Sequence, residues 1–222
     1  MSIFIFGDLH FPFASKPAVS WALKSVKYHK PKIIIQIGDL YDMFSFARFS
    51  KTRNLMTPKQ ELEAGRKDAE EFWLEVKHIA PKADYFQLKG NHDERVFKRM
   101  LDQAPEFESM LSINHIWEFP KVRTIRQERE ELIIDDICFI HGYRTKLGDH
   151  VRFNHMSTVV GHSHTGGVHF MPLKGKTLWE LNVGFLGDRF TTPLSYTKQR
   201  QVTRWTLGYG VIDTCGPRFI PK

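Results

Sequence analysis

Short apolar runs alternate with amphipathic stretches through the first half of the chain. Ile3–Phe6 is uniformly apolar and predicts a strand buried on both faces. Pro17 to about Tyr28 predicts a helix, with Pro17 in its first turn. Lys32–Ile37 predicts a second buried strand. Thr57-Pro58-Lys59-Gln60 has the form of a capping box with Pro at the first helical position. Leu62, Ala69, Phe72, Val76 and Ile79 continue that helix near helical spacing, and Pro81 ends it. Asp84–Leu88 predicts a third strand, and Glu94–Asp102 and Pro105–Leu111 predict two shorter helices. The second half has a different rhythm. Leu132–Ile134 and Ile137–Ile140 flank Asp135-Asp136 as a hairpin, and Thr158–Val160 is a short strand. Val168–Met171 and Thr177–Val183 flank Leu173-Lys174-Gly175-Lys176 as a second hairpin, and Tyr209–Asp213 is a last strand. A β-α-β-α-β half followed by a mostly β half predicts a sandwich of mixed sheets with helices outside. No repeat, low-complexity tract or linker divides the chain, so residues 1–222 read as a single domain.

Composition narrows the partners. Lys and Arg exceed Asp and Glu by 32 to 25, a net charge of +7. A basic surface suits an anionic partner such as nucleic acid or nucleotides, although a merely soluble basic protein has the same balance. The 2 cysteines do not make a disulfide framework. Cys138 lies in an apolar run as a buried small hydrophobe, Cys215 in a Gly/Pro-rich tail, and the expected compartment is the reducing cytoplasm. The apolar start, Met1–Phe6, has no basic flank and is interrupted by Asp8 and His10, which favours a core strand over a signal peptide. No apolar stretch approaches the ~18 residues that span a membrane.

Chemistry enters in five short motifs in fixed order. They are Gly7-Asp8-Leu9-His10, Gly38-Asp39-Leu40-Tyr41-Asp42, Gly90-Asn91-His92-Asp93, His141-Gly142 and Gly161-His162-Ser163-His164. Each follows a predicted strand, and open α/β sheets bind ligands where loops leave the carboxyl ends of strands. In Asp8-x-His10 and His162-x-His164, alternate residues of an extended segment point the same way. Any one motif is weak: Gly-Asp-x-x-Asp is often a turn, and a lone His after an apolar run is usually a satisfied core residue. Five in order, each after a strand, point to a dimetal site. Its ligands are oxygen and imidazole without thiolate, which suits Mn²⁺, Fe or Zn²⁺ and excludes a Cys-type structural zinc. A carboxylate such as Asp39 can bridge two cations, and the pair lowers the pKa of a shared water to a bridging hydroxide that attacks phosphate esters.

The five motifs resemble those of the calcineurin-like metallophosphoesterases. They span Asp8 to His164, and no core position departs from the pattern. The resemblance is to stand-alone microbial and phage members, loosely like Mre11/SbcD exonucleases but without their capping domain. It implies a four-layer α/β/β/α sandwich. It implies one metal held by Asp8, His10, Asp39 and His164, and another by Asp39, Asn91, His141 and His162. Mn²⁺ is the expected metal, with Fe, Zn²⁺ or Ni²⁺ as alternatives. His92 would be the general acid, or instead a phosphate clamp, with Asp93 orienting it. Asp42 would stand behind the ligands and fix an imidazole.

The expected activity is a phosphodiesterase on nucleic acid or nucleotides. A phosphomonoesterase is the first alternative and a non-catalytic interaction module the second. Three segments are candidate substrate walls. Met43–Met56 interleaves Phe44, Phe46, Arg48, Phe49, Lys51 and Arg53, as base-stacking surfaces do, or as a loop packed on the long helix does. Arg95 follows the His92 loop, able to meet a phosphate oxygen or a nearby carboxylate. Phe185–Trp205 carries Arg189, Lys198, Arg200, Arg204 and Trp205.

Overall fold

Alternation along the strands separates two apolar layers. The computed structural model describes residues 2–47, 56–106, 114–125, 130–191 and 204–222. Its elements run β1 (Ile3–Phe6), α1 (Lys16–His29), β2 (Ile33–Gln36), α2 (Pro58–Ile79), β3 (Asp84–Gln87), α3 (Arg95–Gln103), β4 (Val122–Thr124), β5 (Leu132–Ile134), β6 (Ile137–Phe139), α4 (Asp149–Asn154), β7 (Ser157–Val160), β8 (Gly166–Leu173), β9 (Lys176–Val183), β10 (Gly208–Asp213) and β11 (Gly216–Pro221). The strands make a six-stranded sheet, β11-β10-β1-β2-β3-β4, and a five-stranded sheet, β5-β6-β7-β9-β8. In the first, β1 to β4 are parallel; in the second, β6, β7 and β9 are.

Phe4, Phe6 and Ile34 point to the helices, where they meet Ala18, Ala22 and Val26 of α1 and Ala69, Phe72 and Val76 of α2. Ile3, Ile5, Ile35 and Ile37 point the other way, onto Phe139, Val159, Leu181 and Val183 of the second sheet. Such strands are buried on both faces, which is why they read as unbroken apolar runs. The alanines of α1 recur every four residues and let the helix lie close to the sheet. The Thr57–Gln60 capping box forms as the sequence suggests, and α2 begins at Pro58. α4 packs on β7 and β9 across the outer face of the second sheet and completes four layers, α/β/β/α. Among the described residues, no helix is long and apolar enough to cross a membrane.

The first hairpin turns on Asp135 and Asp136, with φ of 49° and 59°, the left-handed pair a tight hairpin turn requires. In the second, β8 and β9 extend to the pair Leu173↔Lys176, so only Lys174 and Gly175 form the turn. Three elements lack a sequence signal. β4 is three residues long, and β11 holds Pro217 and Pro221, which an edge strand tolerates. Cys215 therefore sits in the β10–β11 turn and not in a tail, while Cys138 is buried and its thiol is pushed up to about 12. The helix expected over Pro105–Leu111 lies mostly outside the described residues.

α4 is the third element without a sequence signal, because its cap is remote. The Glu180 carboxylate on β9 accepts the N–H groups of Gly148, His150 and Val151 at 2.9, 2.8 and 3.1 Å. Burial pushes Glu180 up, but the His150 imidazole at 3.7 Å and these N–H donors outweigh it and hold the carboxyl below its ordinary value. A lowered folded-state pKa stabilises the fold above the ordinary Glu value, and that gain is lost as pH falls through the folded-state value. Glu180→Gln is expected to cost roughly 1–3 kcal/mol at neutral pH, with a shrinking difference from the parent in acid. Calorimetric melting at neutral and acid pH measures it; a pH-independent difference contradicts the assignment.

Candidate metal centre

Parallel pairing places the carboxyl ends of β1, β2, β3, β6 and β7 along one edge of the sandwich, and all five motifs leave from there. Backbone and side-chain bonds tie the two sheets together at this edge. Leu186 N–H donates to the Asp8 carbonyl (2.7 Å) and His162 N–H to Asp8 Oδ2 (3.0 Å), while Gly161 N–H joins the His141 carbonyl (3.0 Å) within the second sheet. His10, Asp39, His162 and His164 have φ of 55°, 50°, 65° and 58°, so four site residues hold left-handed backbone. Such conformations cost on the order of 1 kcal/mol or more each and concentrate at functional sites. A Cβ on Gly90 would overlap Asp39, and one on Gly161 would overlap Asp8 Oδ1, so the loops approach closer than other residues permit. Gly161→Ala is accordingly expected to lower metal stoichiometry in dialysed protein; unchanged binding of two equivalents contradicts this crowding.

The side chains converge in two overlapping sets. Ligand atoms of Asp8, His10, Asp39 and His164 all lie within 4.8 Å of one another. His10 Nε2 and His164 Nε2 are 3.1 Å apart, and His164 Nε2 is 3.2 Å from Asp8 Oδ2. In the second set, Asn91 Oδ1 lies 2.8 Å from His162 Nδ1 and 3.3 Å from His141 Nε2, which is 3.3 Å from Asp39 Oδ2. Asp39 thus belongs to both. The residues fit a cation pair. Asp8 Oδ1 is buried with no hydrogen-bond partner among the described residues, and buried carboxylate oxygens are ordinarily paired. The donors are oxygen and imidazole throughout.

The imidazoles are oriented from behind. His10 Nδ1 donates to Asp42 Oδ2 at 3.0 Å, and His141 Nδ1 donates to the Ile37 carbonyl at 3.2 Å, so each turns Nε2 into the site. Asp42 thus stands where the sequence suggests. The Ser163 hydroxyl meets Thr165 and Asn182 at 2.6 Å each and steadies the loop of His162 and His164. Phe185 stacks on His164 at 4.8 Å, and Trp205 meets it edge-on at 4.5 Å. Apart from Asp42, these supports have no local sequence signal for the role; Asn182 shows only as a polar residue in an apolar strand.

One expected role changes, and one residue takes one of its two expected partners. Asp93 does not touch the His92 ring. Its carboxylate accepts N–H groups of Gly90, Tyr41 and Leu40 at 2.8, 2.9 and 3.3 Å, and so braces two site loops. His92 Nδ1 instead donates to the Asp42 carbonyl at 3.1 Å. Of its two expected partners, Arg95 meets the carboxylate. Its guanidinium donates to the Asp42 carbonyl (2.9 Å) and carboxylate (3.2 Å) and to His92 Nε2 (2.9 Å), so it is paired with a carboxylate inside the site. Arg189 is half-buried beside exposed Phe190, past Gly187, whose Cβ position lies 3.4 Å from the His10 ring. Arg48, Phe49, Lys51, Arg53, Lys198 and Arg200 lie outside the described residues. Phe44 is buried and its N–H donates to Glu61 at 2.6 Å, so the described start of that segment packs on α2.

Charge is balanced internally. Burial alone lowers the His141 pKa, but Asp39, Asp8 and Asp93 push it up to about 10. Burial and the neighbouring His141 push His162 down to about 4. Asp39 is held well below the carboxylate range because His141, His92 and His10 outweigh burial. A cation at His141 Nε2 must therefore displace a proton at neutral pH. Metal affinity is expected to rise with pH, roughly tenfold per unit for each proton displaced, with proton release visible by calorimetry in different buffers. A flat profile contradicts this.

The fold and the ligand set together are those of a metallophosphoesterase. The chain belongs to the calcineurin-like phosphoesterase family, whose profile matches residues 1–189. It is similar to the Gene 54 protein of Mycobacterium phage D29, 22% identical over 99% of this chain and 91% of that protein, and equally to that of Mycobacterium phage L5. Among solved structures it is similar to YfcE, a phosphoesterase from E. coli, with 15% identity, TM-score 0.41 and 96% and 89% of the two chains covered. It is also similar to Vps29 from Entamoeba histolytica, with 16% identity, TM-score 0.46 and 96% and 86% covered.

Proposed function

We propose that this protein is a dimetal phosphodiesterase acting on nucleic acid or nucleotides. The observation that carries this is the sharing of Asp39 by two convergent ligand sets. Two divalent cations there, Mn²⁺ in the first instance, supply a water of lowered pKa and positive charge against the phosphoryl oxygens. The fit of Arg95 to Asp42 supports a diester over a monoester. A monoester dianion calls for added positive charge, and the arginine in contact with His92 is already balanced by a carboxylate. The net charge of +7 suits a polyanionic substrate.

His92 acts at Nε2. The Asp42 carbonyl can only accept, so Nδ1 carries its own proton, and Arg95 donates to Nε2 in the resting site. A proton taken up at Nε2 turns the Arg95 N–H away from the ring while Asp42 keeps the guanidinium paired, and that proton passes to the leaving oxygen. Asp42 holds His10, His92 and Arg95 in one register and so couples metal binding to acid catalysis.

The experiment is hydrolysis of bis(p-nitrophenyl) phosphate beside p-nitrophenyl phosphate with Mn²⁺, with Asn91→Ala as control. Diester turnover that disappears in the control is expected. Monoester turnover alone transfers the assignment to a phosphomonoesterase, and no turnover of either with metal bound leaves an interaction module.

A further inference from the structure

Two aromatic–arginine pairs leave the chain from opposite halves of the ligand set. Tyr143 and Arg144 follow His141 of the second set, with the Arg144 guanidinium 5.3 Å from the Tyr143 ring and 3.7 Å from Phe153. The N–H groups of Tyr143 and Arg144 both donate to His150 Nε2, at 3.2 and 3.3 Å, and α4 holds His150 in place. Arg189 and Phe190 follow Gly187, beside His10 of the first set, with the guanidinium 5.0 Å from the ring. Asp188 fixes that turn by accepting the Phe190 N–H at 3.0 Å and donating its own N–H to the Phe13 carbonyl at 2.8 Å. Phe190 is 83% exposed and Tyr143 37% exposed. Singly exposed aromatics are ordinary. Here each is paired with an arginine, each pair is held by backbone N–H hydrogen bonds, and one pair follows a residue of each ligand set along the chain, His141 before Tyr143 and Gly187 beside His10 before Arg189.

We infer that these pairs bracket the metal centre for single-stranded nucleic acid, so that the substrate is a polynucleotide strand and not a mononucleotide. A ring offers its face to a base and the adjacent guanidinium meets a phosphate, a combination that tolerates any sequence. One pair receives the strand on each side of the scissile phosphate. Duplex DNA buries its base faces in the stack and cannot use the rings. This inference rests on the phosphodiesterase reading.

The test uses the full chain loaded with Mn²⁺ and compares kcat/KM for a labelled oligothymidylate with kcat/KM for bis(p-nitrophenyl) phosphate. In Phe190→Ala and in Tyr143→Ala the ratio of strand to small diester is expected to fall about tenfold. Phe190→Trp is expected to retain the parent ratio. Unchanged ratios, or hydrolysis of the small diester without cleavage of the strand, overturn the inference while leaving the phosphodiesterase reading intact. If the small diester is not hydrolysed at all, that reading fails, and anisotropy of the labelled strand still decides the bracket. Binding about tenfold weaker in both alanine variants supports it, and equal binding overturns it.

Discussion

Asp39→Asn is expected to reduce diester hydrolysis roughly 10³-fold or more, about 4 kcal/mol of barrier at 1.36 kcal/mol per factor of ten. Its carboxylate lies 3.3 Å from His141 Nε2 and also belongs to the set of Asp8, His10 and His164. An amide offers a single acceptor oxygen and no charge, so one substitution weakens both cation sites. The one amide oxygen must also serve the His92 N–H, which donates to Asp39 Oδ1 at 2.8 Å, so that anchor and metal binding compete for it. Metal analysis of the dialysed variant beside a rate assay measures both effects. Two full equivalents of metal with parental activity would remove Asp39 from the centre.

The second large effect belongs to His92. General acid catalysis contributes roughly 10²–10⁴-fold, and its share depends on how badly the leaving oxygen needs a proton. His92→Ala is expected to slow a dinucleoside phosphate by about that amount, and bis(p-nitrophenyl) phosphate, whose phenolate leaves unaided, by less than about tenfold. Equal losses on both substrates would assign His92 to phosphate clamping. Arg95→Ala separates the partners further. It removes the donor at His92 Nε2 and the contact with Asp42, so its loss should appear with both leaving groups.

The first half of the fold is legible because its signals are local. Ile3–Phe6 is buried on both faces and apolar throughout, Ile33–Gln36 is apolar up to Gln36, and Thr57–Gln60 caps its helix with neighbouring residues. α4 is illegible because its cap comes from Glu180 on β9, 30 residues from His150 in sequence. β11 is a Pro-containing edge strand whose pairing depends on β10.

The ligands are legible for a similar reason. Each is within a few residues of a strand end, and parallel pairing alone brings those ends together. Roles that depend on which way a loop side chain turns are not. Asp93 adjoins His92 in sequence yet faces the backbone of Leu40 and Tyr41, whereas Asp42, from another strand, holds the His92 ring. Arg95 had a phosphate and a carboxylate as equal partners in the sequence, and the structure turns it to Asp42. Left-handed backbone at His10, Asp39, His162 and His164 is likewise invisible in sequence, because nothing but contact with neighbouring loops enforces it.

The most direct measurement is a Mn²⁺ titration of chelator-stripped protein while bis(p-nitrophenyl) phosphate hydrolysis is followed. The two overlapping ligand sets predict activity that rises to two equivalents of Mn²⁺ and then stops. Full activity at one equivalent, or hydrolysis independent of added metal, would contradict a shared centre built on Asp39.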